Sequence, residues 1–179
     1  MRVVVTGREG QVARSLIERG SATGHVVVPL GRPALDLAGD PDAIVEAIEG
    51  AHPDVVVSAA AYTAVDKAES EPDLAFAVNE RGAGAVARAA RTLGVPLVHL
   101  STDYVFDGTK PSPYHEWDAP NPQSVYGRSK WAGEQEVSSV ASSWTTVRIS
   151  WVCGQYGNNM VKTVLKLAAE GRGRRTQQA

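Results

Sequence analysis

Three residues of this 179-residue chain could together move a proton onto a carbonyl oxygen: Thr102, Tyr126 and Lys130. Tyr126 and Lys130 stand four apart in Tyr126-Gly127-Arg128-Ser129-Lys130, a spacing that puts both on one face of a helix. A lysine ammonium beside a phenol favours the phenolate and lowers a pKa that is ~10 when unperturbed, which would make Tyr126 an acid and base usable near neutral pH. Thr102, in Ser101-Thr102-Asp103-Tyr104, adds a hydroxyl able to hydrogen-bond the same carbonyl. A Tyr-x-x-x-Lys match alone equally describes an exposed helix pair. Its place about one helix and loop after a hydroxyl residue on the preceding strand gives it weight.

A second group of residues suits a dinucleotide. Thr6-Gly7-Arg8-Glu9-Gly10-Gln11-Val12-Ala13 is a Gly-x-x-Gly-x-x-Ala turn after the first apolar run. Gly7 permits the tight turn, Gly10 lets the backbone approach a pyrophosphate, and Ala13 keeps the following helix near the sheet. Free amides at that helix start then face the phosphates. After the second run, Gly31-Arg32 stands where a site for NAD usually places an acid, so Arg32 reads either as a partner for a 2′-phosphate or as a solvated loop arginine. Asp36 and Leu37 suit an adenine contact; a loop aspartate capping the helix after Pro41 is the other reading. In Ser58-Ala59-Ala60-Ala61-Tyr62-Thr63, the small side chains leave room for a ribose or nicotinamide over a strand end, against the alternative of plain tight helix–sheet packing.

The elements that must position these groups alternate. Apolar runs at Arg2–Thr6, His25–Leu30, Asp54–Ala59, Val95–Ser101 and Thr145–Ser150 are separated by helix-compatible sequence. Alternation of this kind predicts a doubly wound parallel sheet with helices on both faces. Helices are predicted over Gln11–Arg19, over a long stretch at Asp73–Leu93, and over Ser124–Val140, where Ser124 suits the N-cap. Asp103–Pro122 holds four of the ten prolines and reads as a long ordered loop. Loops in that place carry function, because ligands of open α/β sheets lie beyond the carboxyl ends of the strands.

The bulk properties exclude several classes. With 18 Lys plus Arg against 20 Asp plus Glu, the net charge of -2 offers no footprint for nucleic acid or an anionic membrane. No apolar run approaches the ~20 residues of a membrane span. The single cysteine, Cys153, and an N-terminus without a signal pattern fit a cytoplasmic protein. A small-molecule partner is expected, without nucleic acid or membrane; no metal-ligand cluster is expected, and a homo-oligomer is compatible.

The string of motifs resembles the short-chain dehydrogenase/reductase superfamily of the extended kind, and within it the dTDP-4-dehydrorhamnose reductases. Gly7 to Val12, Ala60 to Glu69, Ala77-Val78-Asn79, Ser101 to Gly108, Tyr126 to Lys130, Gly133-Glu134 and Arg148 to Val152 carry the likeness in order, as far as about Gly171. The resemblance implies a Rossmann-like fold and an NADPH- or NADH-dependent reductase converting dTDP-4-dehydro-L-rhamnose to dTDP-L-rhamnose. It implies Gly10, Gln11 and Val12 on the dinucleotide phosphates, Asp36 and Leu37 beside adenine, and Ala61 to Thr63 along the cofactor. It implies Tyr126 as proton donor to the C4 ketone, Lys130 on the nicotinamide ribose, Thr102 polarising the carbonyl, and Thr102, Asp103 and Trp151 touching the deoxysugar. Without the resemblance, Trp151 reads as a core aromatic at a strand end. Two departures are Ala13 for a common glycine and Cys153 for a frequent tyrosine.

The larger departure lies at the end: Gly171–Ala179 does not resemble the family's continuation into a small substrate-binding domain. The expectation is a dinucleotide-binding domain over 1–170 and a disordered tail over 171–179, with most of the substrate domain lacking. Such a chain is expected to bind dinucleotide, preferring NADPH through Arg32, to turn over little by itself, and to self-associate through uncovered surfaces at Tyr104, Phe106 and Trp151. A binding-only regulatory subunit and another sugar-nucleotide epimerase or dehydratase of the superfamily are the alternatives.

Overall fold

A computed structural model describes residues 1–170 of the chain. The tail expected to be disordered lies outside the described residues. Valine-rich runs form five strands: β1 (Arg2–Thr6), β2 (Val26–Leu30), β3 (Val55–Ser58), β4 (Leu97–Thr102) and β5 (Trp144–Ile149). All pair in parallel in the order β2-β1-β3-β4-β5. The chain therefore moves outward one way from β1 to β2 and the other way from β3 onward. The strand order reverses at β1/β3, the place where open sheets leave a crevice beyond their carboxyl ends.

The helices are α1 (Gln11–Ala22), α2 (Pro41–Glu49), α3 (Val65–Ala68), α4 (Pro72–Phe76), α5 (Ala83–Leu93), α6 (Val125–Val140) and α7 (Met160–Ala169). One face of the sheet is covered by α2, α5 and α6, whose Ile44, Ile48, Val86 and Val137 close on Val56 and Leu97. On the other face, α1 lays Ala13 and Leu16 on Val5, Val27 and Val57. The two-sided cover that alternation predicts is thus uneven. Beyond the reach of α1, Val147 of β5 remains 38% exposed, and no residue of α7 is buried.

Three local expectations change. The long helix over 73–93 is interrupted: α4 runs into a π-helical turn at Ala77–Gly82 before α5 begins. Asp40, two places before Asp42, caps α2 by accepting the Asp42 amide at 3.0 Å. Asp36 does not cap that helix; its carboxylate accepts the Ala38 amide in a local turn instead. The loop after β4 begins with a 3₁₀ turn at Asp103–Val105, and Asp107 then organises it. The Asp107 carboxylate accepts from the Thr109 amide and hydroxyl, the Tyr114 hydroxyl and the Asn121 amide. Those donors hold its carboxyl well below the usual carboxylate range.

Candidate active site

The carboxyl ends of the strands open into one cleft of about 1250 Å³. The candidate cofactor, substrate and catalytic residues all line it, from the glycine turn through Arg32, Asp36 and Leu37, and Ala60 to Thr63, to Thr102, Asp103, Tyr126, Lys130 and Trp151. The fold has gathered residues spread over about 145 positions. What each does locally is dictated by how its element is held.

At one end, Gly7 sits at φ +95°, a conformation that side chains with a Cβ rarely adopt. Thr6, fully buried, accepts the Ala59 and Ala60 amides at 2.9 Å on its hydroxyl, and so ties the end of β1 to the small-residue run after β3. The first turn of α1 has no side-chain cap and no acidic residue. Its amide donors are left for an anion. The stem of Arg8 lies against Gly31, so close that a Cβ there would stand 2.9 Å from the Arg8 Cγ. Two cations, Arg8 and Arg32, therefore share this end of the cleft. Arg8 belongs to the first turn and meets Gly31 only across β1 and β2, a proximity that no local sequence pattern marks, unlike Arg32.

At the other end, Ser124 caps α6 by accepting the Gly127 amide at 3.0 Å. The Glu69 carboxylate accepts the Val125 amide at 2.7 Å, a charge placed where the helix dipole favours it. Both contacts fix the first turn, which carries Tyr126. A Cβ on Gly127 would collide with the Tyr104 carbonyl, so α6 can lie flush on the start of the loop only with glycine there. The rings of Tyr104 and Tyr126 meet edge to face at 5.5 Å.

Buried polar groups lock the arrangement from beneath. Asn79, in the π-helical turn, accepts the Tyr62 amide at 2.8 Å and donates to the Tyr62 carbonyl and to the Ser129 hydroxyl, which donates in turn to the Tyr126 carbonyl. Glu134, one turn after Lys130, accepts the Ser101 hydroxyl at 2.5 Å and pairs with two nitrogens of Arg148 at 3.0 and 2.7 Å. This single carboxylate joins α6, β4 and β5. His99 is buried, bonded through Nδ1 to the Ser58 hydroxyl; burial and the charge of Lys130 push it down to about 3, so it stays neutral beneath the lysine.

The expected activation of Tyr126 does not hold in this arrangement. The Lys130 ammonium donates to the Leu100 carbonyl at 2.7 Å, and the Tyr126 phenol is pushed up by burial, with the Asp103 and Tyr104 charges adding to it and a hydrogen bond with Thr102 acting the other way. Desolvation is the largest cause, because the phenolate would be formed in a partly closed pocket. Lys130 itself is brought down to about 8, since burial penalises the ammonium more than Glu134 stabilises it. Thr102 donates to Asp103 at 3.1 Å and accepts the Tyr104 amide. Trp151 is 72% exposed, not a core aromatic, whereas Phe106 is half-buried, stacked on Tyr114 at 4.2 Å with the Arg148 guanidinium over its ring. Gly157 and Asn158 also line the cleft, and nothing in their local sequence marked them. Among the described residues no group of His, Cys, Asp and Glu could hold a metal ion.

Residues 1–175 match the family described as the RmlD substrate binding domain. A dTDP-4-dehydrorhamnose reductase of Sinorhizobium fredii is 54% identical over 169 residues, which cover 94% of this chain and 56% of that protein. The Bacillus anthracis dTDP-4-dehydrorhamnose reductase, solved in complex with NADP, superposes with a TM-score of 0.89 at 40% identity over 94% of this chain and 60% of its own. A Thermus thermophilus UDP-glucose 4-epimerase in complex with NAD reaches 0.81 at 28% identity, over 94% and 61%.

Proposed function

The chain belongs to the RmlD substrate binding domain family, and from that premise we propose that it is the dinucleotide-binding part of a dTDP-4-dehydrorhamnose reductase, acting on a nucleotide-linked 4-keto-6-deoxyhexose. The observation that carries this reading is the joining of Thr102, Tyr126 and Lys130 in the same cleft as the uncapped start of α1. We assign residues 1–170 to one dinucleotide-binding domain.

The cleft fits NADPH or NADH. No side chain caps the amides at the start of α1, and its first turn carries no acidic residue; Gly10 meets nothing within 4 Å of where its Cβ would be, and so leaves the pyrophosphate side open. Gly7, Gly10, Gln11 and Val12 would hold the phosphates, Arg32 with Arg8 a 2′-phosphate, Asp36 and Leu37 the adenine. Ala60, Ala61, Tyr62 and Thr63 would border the nicotinamide half. When bound, the reduced nicotinamide supplies the hydride for the C4 carbon. Tyr126 gives its phenolic proton to the C4 oxygen, and its raised pKa keeps that proton in place across neutral pH. Thr102 polarises the same carbonyl. Lys130, charged below about pH 8, would turn its ammonium to the ribose hydroxyls and offset the tyrosinate left after transfer. Asp103 and Trp151 would border the sugar.

The chain spans about 56% of the length of the Sinorhizobium fredii relative. Turnover is therefore to be measured on the chain and on a chimera carrying that relative's C-terminal part, because positioning of the substrate supplies much of a rate. Calorimetry with NADPH on the chain, and loss of NADPH absorbance with dTDP-4-dehydro-L-rhamnose in the chimera, are the readouts. Tyr126→Phe is expected to lower turnover by about 10²- to 10⁴-fold while leaving dinucleotide binding in place. A chimera that binds NADPH and never oxidises it with this sugar overturns the substrate assignment.

A further inference from the structure

The segment between β5 and α7 is fastened to one stripe of α1. Gln11, Arg14 and Glu18 stand at i, i+3 and i+7, so they share a face of that helix. Gln11 donates through Nε2 to the Val152 and Asn158 carbonyls at 3.4 and 3.3 Å, and accepts from Asn159 Nδ2 at 3.1 Å. Arg14 lies over the Tyr156 ring at 5.3 Å. Glu18 accepts from Gln155 at 2.7 Å and from the Tyr156 hydroxyl at 3.0 Å. The residue at the start of this segment is Trp151, held at φ +49°, where a residue with a bulky side chain is uncommon. Such a conformation persists only where its surroundings over-determine it. Trp151 is held from both sides: Ser150 donates to Asp103 at 2.6 Å, and the Val152 carbonyl is taken by Gln11.

We propose that the Gln11–Arg14–Glu18 stripe is a clasp that sets the orientation of Trp151, so that a dinucleotide at the start of α1 organises the sugar side of the cleft. The coupling rests on the dinucleotide reading given above; the clasp itself does not. Gln11 belongs to both ends, since its backbone stands at the phosphate turn and its side chain reaches the segment that follows the tryptophan. Glu18 and Ser150 act through Trp151 and are positioning residues. A ligand that orders the first turn of α1 thereby orders the indole, and by linkage the sugar nucleotide strengthens dinucleotide binding in return.

The readout is the emission of Trp151, taken as the difference between the parent chain and Trp151→Phe, with acrylamide as quencher and NADP⁺ as the probe because its nicotinamide does not absorb indole emission. Glu18→Ala is the principal variant, since Glu18 is exposed and outside the cleft; Ser150→Ala opens the opposite anchor. Without ligand, both variants are expected to raise acrylamide quenching of Trp151. With NADP⁺, the parent is expected to show a protected, shifted Trp151 signal, and Glu18→Ala to bind NADP⁺ by calorimetry with that shift lost. Parent-like quenching in Glu18→Ala overturns the clasp, whatever the dinucleotide does. An unchanged Trp151 signal on binding, or a full shift retained in Glu18→Ala, overturns the coupling. No calorimetric binding by the parent overturns the dinucleotide reading and the coupling with it, and the quenching comparison still judges the clasp.

Discussion

At the scale of the residue, burial decides the chemistry more than neighbouring charge does. Lys130 has its pKa lowered by burial to about 8, so its ammonium is complete below that pH and is lost above it. Dinucleotide affinity that depends on the ammonium is therefore expected to be flat below about pH 8 and to fall as pH rises through it, an effect that calorimetry across pH would show and that Lys130→Met would abolish. The effect on stability has the opposite sense: between about pH 8 and 10.5 the unfolded chain binds more protons than the folded one, so the lysine's contribution rises with pH across that window. The two arginines make a separate test. If Arg8 and Arg32 together read a 2′-phosphate, removing either charge should cost NADPH about tenfold in affinity, the size of one charge-assisted hydrogen bond, and leave NADH unchanged. Equal affinities of the parent for the two dinucleotides would show that neither arginine reads the phosphate.

At the scale of the element, the site stands on the contacts of α6. Its N-terminus is held by Ser124 and Glu69, its middle by Asn79 through Ser129, and its last turns by Glu134 on Ser101 and Arg148. Glu134→Ala leaves the half-buried Arg148 guanidinium and the buried Ser101 hydroxyl without their acceptor, which is expected to cost about 3 kcal/mol. Urea unfolding of the chain measures it, and Glu134→Gln, which still accepts, should lose less. A cost near zero would mean that water replaces the carboxylate and that α6 is positioned by its other contacts alone. The π-helical turn has its use here: it is the stretch that carries Asn79 to both Tyr62 and Ser129.

At the scale of the whole molecule, apolar surface is unevenly covered. Val161, Val164 and Leu165, which share one face of α7, are 52%, 51% and 64% exposed. These residues, rather than Phe106, make the surface on which association would occur, because Phe106 is covered by Tyr114 and Arg148. Contiguous apolar surface of this kind drives association. Light scattering of the chain is expected to give a mass above the monomer that grows with concentration, and Leu165→Glu to reduce it. A parent chain that stays monomeric at all concentrations contradicts this.

Much of this protein was written locally. The five strands lie within one or two residues of the five apolar runs, because β-branched residues between turn formers leave a parallel strand few alternatives. The Gly7 turn, the Ser124 cap and the membership of the cleft were legible for the same reason, since each rests on a short motif placed at a strand end. Three matters were settled only in three dimensions. Arg8 became a partner of Arg32 because β1 and β2 are adjacent in the sheet. The Tyr126 phenol was raised instead of lowered, because Lys130, although on the same helix face, found the Leu100 carbonyl, and the depth of the pocket fixed the cost of charge. Trp151 came to the mouth of the cleft because the segment after it docks on α1, some 140 residues earlier in the chain. Spacing along a sequence specifies which groups can share a face; how far each is desolvated, and which competing partner it meets, depends on contacts between segments that no local pattern encodes.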